Sequence, residues 1–175
     1  MKNSCLTTVF WDINSFSRLC NRLKNTPEAV AAFLKEYFNE AIEIIRSRQG
    51  ILDKFIGDGI LAYFGYIDDT PDCGAFNAAM AAIELRERFE RINSKWSKIW
   101  ISQYSVTSSI GIKCGIHTGD VLFGILSGNR DQITGMGRDI NFARSDEGVR
   151  STARVTNSNI KLKNRQYGRK AKFPS

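Results

Sequence analysis

The chain has 175 residues, 42% of them hydrophobic and 25% charged, which is enough apolar material for one domain with a sizeable core and too much for a disordered segment. No apolar run is long enough to span a bilayer, and Met1-Lys2-Asn3-Ser4-Cys5 lacks the apolar stretch of a secretory leader. The net charge of +7 comes wholly from the C-terminal region: residues 1–143 hold 16 basic and 16 acidic residues, residues 144–175 hold 9 and 2. A nucleic-acid binder with a basic face through its fold is not expected from that distribution, and the basic segment reads as a solvated tail.

The elements follow in order. Thr7-Thr8-Val9-Phe10-Trp11 is β-branched and aromatic and reads as a strand ending at Asp12. Asn14 and Ser15 are good N-caps, so a helix is expected to open there, with its first backbone N–H groups on Ile13 to Phe16. A second helix starts at Pro27 behind Thr26, carries Val30, Phe33, Leu34, Tyr37, Phe38, Ala41, Ile42 and Ile45 at helical spacing, and stops before Gly50. Ile51 to Phe64 reads as a hairpin with Gly57-Asp58-Gly59 at its tip. An alanine-rich helix is expected over Ala75–Arg91, then a connection from Asn93 to Ser105, a strand over Val106–His117, a turn at Thr118-Gly119-Asp120 and a strand over Val121–Leu126. Short strands at Gln132-Ile133-Thr134 and Arg154 to Ser158 flank a helix from about Arg138. This order predicts an α+β fold: an antiparallel sheet covered by helices on one face, a ferredoxin-like βαββαβ core with additional strands, in a single domain over residues 1–175.

Cys5, Cys20, Cys73 and Cys114 show no metal-type spacing and are expected as free thiols in a reducing compartment. His117, the lone histidine, lies in an apolar strand and reads as a packed or rim residue. No Ser-His or Cys-His constellation is evident. The chemistry-bearing feature is a pair of aspartates. In the predicted topology the end of the first strand and the hairpin tip share one edge of the sheet, so Asp12 and Asp58 come together. Adjacent carboxylates repel and call for a cation, and hard oxygen donors suit Mg²⁺ or Mn²⁺ with positions left for substrate phosphates. The expected helix start at Ile13, Asn14, Ser15 and Phe16 would add N–H groups facing an anion. Each feature also has a plain structural reading, Asp12 as a helix cap and Asp58 as a turn residue.

Four segments in order resemble the class III nucleotidyl cyclases: Phe10-Trp11-Asp12-Ile13 with Phe16; Asp53-Lys54-Phe55-Ile56-Gly57-Asp58-Gly59; Gly115-Ile116-His117-Thr118-Gly119-Asp120-Val121; and Thr134 to Asn141 with Ala143. The resemblance implies the nucleotide cyclase fold, a homodimer with sites at the subunit interface, and two Mg²⁺ or Mn²⁺ ions per site held by Asp12, Asp58 and the Ile13 carbonyl. It implies that Lys54 and Thr134 select adenine, that Asn141 orients the ribose, and that ATP is cyclised to 3′,5′-cyclic AMP with release of pyrophosphate. The family's transition-state arginine falls at position 145, which is Ser145; Arg144 is one residue short, and Arg150 is a more distant substitute. Asn14-Ser15 replaces the family's glycine, and Lys170 and Lys172 are the candidates for its late phosphate-binding lysine. A cytoplasmic location follows, as a free domain or as the cytosolic part of a larger protein whose regulatory domains act in cis or in trans. The alternatives are a non-catalytic cyclase-like nucleotide-binding module, a diguanylate cyclase, whose Gly-Gly-Asp/Glu-Glu-Phe signature is missing, and an RNA-binding ferredoxin-like module, which two bare carboxylates would disfavour.

Overall fold

The structure, a computed structural model, describes residues 2–67, 71–125, 133–136, 152–156 and 159–162. The central strand β1 (Lys2–Asn14) is flanked by β3 (Gly59–Phe64) and β4 (Gly111–Ile125), and β2 (Ile51–Ile56) pairs outside β3. On the other side β4 carries β5 (Ile133–Met136) and β6 (Thr152–Thr156), and β7 (Asn159–Leu162) follows β6. Every pairing is antiparallel. The α+β architecture expected from the sequence is therefore present, with β7 as an extra strand.

Helices α1 (Phe16–Arg22), α2 (Pro27–Ser47) and α3 (Ala75–Tyr104) contribute to the main core with one face of the sheet. Strand alternation explains which residues they cover: Val9, Trp11 and Ile13 of β1, Ile60, Ala62 and Phe64 of β3, and Ile112, Cys114 and Ile116 of β4. The opposite parity builds a second, smaller apolar cluster on the open face, from Leu6, Leu61, Tyr63, Val121 and Phe123. Across the helical layer Arg48 pairs with Glu84 at 3.2 Å, Lys95 with Glu36 at 2.8 Å, and Arg88 with Glu40. Such partly exposed pairs each contribute little beside the apolar packing between α2 and α3.

Several expectations need correction. The third helix does not stop at Arg91; it runs 30 residues to Tyr104. Phe89, Ile92, Trp96 and Trp100 continue its apolar stripe, and Phe33 meets Phe89, Trp96 and Trp100 edge-on at 6.3, 6.1 and 5.2 Å. Thr118-Gly119-Asp120 is no turn. It lies inside β4, opposite Thr7, Leu6 and Cys5, because β1 is long enough to hold the ladder through it. The Thr7 and Thr118 hydroxyls, 2.8 Å apart, add a cross-strand hydrogen bond. Two cysteines are not free: Cys5 and Cys73 form a disulfide with a Cα–Cα distance of 5.4 Å. Cys20 and Cys114 are free, as expected. No helix among the described residues is long and apolar enough to cross a membrane. The helix expected from Arg138 lies outside the described residues.

Candidate active site

The β2–β3 hairpin turns through Gly57 and Asp58, and Gly57 takes φ = 62°, a conformation that glycine adopts without strain. The turn lifts the Asp58 carboxylate to the end of β1, where Oδ2 accepts the Ile13 backbone N–H at 2.9 Å. Burial raises the pKa of Asp58 above the ordinary carboxylate value. The charge of Asp12, and a carboxyl–carboxyl hydrogen bond with it, add to the rise, while the Ile13 N–H opposes it. The two aspartates are thus brought together, as the sequence predicted.

Their surroundings differ from the expectation in one respect. β1 does not end at Asp12 but continues through Asn14, with Asp12, Ile13 and Asn14 opposite Lys113, Ile112 and Gly111. Helix α1 starts only at Phe16 and spans seven residues, behind Ser15 in a left-handed conformation (φ 62°, ψ 19°) without a side-chain cap. The Ile13 N–H is therefore a donor to Asp58, and the helix start expected from Ile13 lies at Phe16 instead. β4 prolongs the strand by supplying ladder partners beyond Asp12.

The same pairing reveals a residue the sequence reading missed. Lys113 Nζ lies 2.8 Å from Asp12 Oδ2, across the β1–β4 ladder. Alternation could have shown it: Ile112 and Cys114 face the helices, so Lys113 faces the other way, as does Asp12 between Trp11 and Ile13. Beneath the pair, Tyr37 of α2 is fully buried, its phenol pKa pushed up by burial and then by the charges of Cys114, Asp58 and Asp12. Cys20 of α1 lies close enough that its thiol pKa is raised by burial and by Asp58.

Lys54 stands on exposed β2, opposite Leu61 and so on the open face, with Nζ 3.6 Å from Asp53 Oδ2. Thr134 lies in β5 opposite Gly124 of β4. Asn141, Arg144, Arg150, Lys170 and Lys172 lie outside the described residues.

Among the described residues no cluster holds three or more potential metal ligands. The pair itself suits a divalent cation. Two oxygen-donor carboxylates lie together, and burial, with the charge of Asp12 adding to it, raises the pKa of Asp58. The arrangement places two carboxylates and a lysine together at one end of an antiparallel sheet.

Comparison with known proteins gives the family. Residues 1–172 match the family described as "Adenylate and Guanylate cyclase catalytic domain", and the chain belongs to that family. It is 30% identical over 146 residues to adenylate cyclase 1 of Rhizobium meliloti, covering 82% of this chain and 20% of that protein. The crystal structure of the adenylyl cyclase CyaB from P. aeruginosa superposes with a TM-score of 0.72 at 28% identity, covering 82% of this chain and 70% of that one. The guanylyl cyclase Cya2 gives a TM-score of 0.70 at 25% identity, covering 82% and 68%. The chain spans between 6% and 27% of the length of the curated relatives it matches.

Proposed function

We propose that the chain is a single adenylate cyclase catalytic domain that converts ATP to 3′,5′-cyclic AMP and pyrophosphate, working as a homodimer with sites at the subunit interface. The observation that carries the reading is the abutted Asp12–Asp58 pair, with Lys54 four residues before Asp58 on the same hairpin. Family membership and likeness to proteins named adenylate cyclase support it.

In this reading Asp12, Asp58 and the Ile13 carbonyl hold Mg²⁺ or Mn²⁺. When bound, the two cations favour ionisation of the ATP 3′-hydroxyl and neutralise charge developing on the phosphates. Asp58 is oriented by the Ile13 N–H, so its free oxygen is pre-aimed. Lys113, drawn to Asp12, keeps positive charge beside the polyphosphate. Lys54 donates to the adenine ring, where an acceptor would suit guanine, and Thr134 is the second base-selecting position. Asn141 orients the ribose, and Arg144 steadies the transition-state charge. A partner subunit is in keeping with large apolar side chains left exposed, among them Leu122 at 42%, Tyr66 at 46% and Phe76 at 59%.

The test is cyclic nucleotide production from ATP and from GTP, with Mg²⁺ and then Mn²⁺, over a range of protein concentrations. Cyclic AMP should predominate, and activity per chain should fall on dilution; constant specific activity in a confirmed monomer would remove the dimer. Lys54→Glu combined with Thr134→Cys should cut the ATP/GTP preference by about tenfold or more, on the scale of one or two exchanged hydrogen bonds. An unchanged ratio would take both residues out of base selection.

One observation favours a second reading, a non-catalytic nucleotide-binding module: position 145, where the family carries its transition-state arginine, is Ser145. ATP binding without product would select it.

A further inference from the structure

Tyr63 of β3 is the largest polar side chain in the open-face cluster. It is fully buried, with its ring edge-on to Phe123 at 5.2 Å. Its hydroxyl donates to Asp53 Oδ2 at 3.0 Å and lies against Gly135. The ladder between β2 and β3 shifts register between Leu52 and Lys54, and such an irregularity re-aims a side chain; here the residue is Asp53, whose side chain is only 4% exposed. Gly135 comes so close to the phenol that a Cβ there would sit 2.7 Å from Cζ and 2.8 Å from the oxygen. Burial and the Asp53 carboxylate hold the phenol well above its ordinary pKa, so it remains a donor at any working pH.

The neighbours of these two partners give the contact a purpose. Asp53 precedes Lys54 and lies 3.6 Å from its ammonium, and Gly135 follows Thr134. β2 and β5 are not ladder partners, since β2 pairs with β3 and β5 with β4. The Tyr63 hydroxyl therefore bridges two strands that the sheet does not join. A phenylalanine would fill the same volume, so packing alone does not explain the hydroxyl.

We propose that Tyr63 is a positioning residue for base selection: its hydroxyl, through Asp53 and Gly135, sets the separation of Lys54 and Thr134 and so the fit of the purine between them. This rests on the reading that Lys54 and Thr134 recognise the base.

The experiment measures binding of 3′-deoxy-ATP and 3′-deoxy-GTP to the full chain in Mg²⁺. Both probes lack the attacking hydroxyl, so the affinity ratio is independent of turnover. The wild type should prefer the adenine probe, Lys54→Ala should abolish the preference, and Tyr63→Phe should reduce it about five- to tenfold while still melting cooperatively. Gly135→Ala, which pushes the phenol without removing it, should also reduce the preference, and it carries the same readout if Tyr63→Phe does not fold. A Tyr63→Phe protein that folds and keeps the wild-type ratio, while Lys54→Ala loses it, overturns the proposal and leaves the base reading standing. An unchanged ratio in Lys54→Ala removes the base reading and the proposal with it.

Discussion

Asp58→Asn should lower cyclic AMP formation by at least about 10³-fold, on the order of 4 kcal/mol at the transition state, and leave the protein folded. Asparagine keeps an oxygen to accept the Ile13 N–H, so the turn retains its contact with β1 while the negative charge disappears. Asp58→Ala would add an orphaned amide to the lost charge and so test two things at once. The same pair makes a prediction about stability with the cation chelated. Burial and Asp12 raise the pKa of Asp58 in the folded state, so the folded protein binds that proton more tightly than the unfolded chain. The contribution of this group is most favourable below the unfolded value, about 3.9, and is lost as pH rises towards the folded value. Asp58→Asn should therefore raise Tm near neutral pH in chelator and flatten its pH dependence. A variant that melts lower than wild type there would contradict the cost of the buried charge beside Asp12, and one that keeps wild-type turnover would remove Asp58 from the site.

Breaking the Cys5–Cys73 bond should cost about as much as truncating a large core side chain. The cross-link spans 68 residues, and closing a loop of that length constrains the unfolded chain by about 4 kcal/mol, or roughly 10 °C in Tm for a domain of this size. Cys5 is exposed and Cys73 half-buried, so a small thiol reaches the bond. Wild type in excess reductant, Cys5→Ser and Cys73→Ser should melt at the same lowered temperature, and reductant should not move either variant further. Thr7 Oγ1, which donates to the Cys73 carbonyl at 2.9 Å, would hold part of the junction without the sulfur link. A wild-type Tm indifferent to reductant would show that the bond does not staple the fold.

The contrast between these two features shows what a sequence makes legible. Asp12 and Asp58 each sit beside a strong local signal, a strand end and a glycine-flanked turn, and simple topology brings them together. Cys5 and Cys73 carry no local signal, since their meeting depends on how the segment before α3 lies against β1. Lys113 was missed for a related reason: its face can be read from alternation, but its partner depends on the register of β1 with β4. The helix start near Ile13 was misplaced because capping propensity at Asn14 and Ser15 competes with strand pairing, and pairing wins where β4 offers a ladder. The break expected after Arg91 came from reading polar residues between Ile92 and Trp96 as a loop, although the four-residue spacing to Trp96 and Trp100 sustains the helix.

The position of β1 also bears on how the chain is made. It is the first strand in chain order and lies inside the sheet, yet both its neighbours come later, β4 about a hundred residues on. At a synthesis rate of about 5–20 residues per second, Val9 and Trp11 wait roughly 5–20 s for the strand that completes their ladder. For that interval a β-branched and aromatic segment has an open edge, the feature that invites pairing with another nascent chain. Codon choice and chaperone supply across residues 65–111 should therefore affect the yield of native protein more than changes of equal size after Ile125.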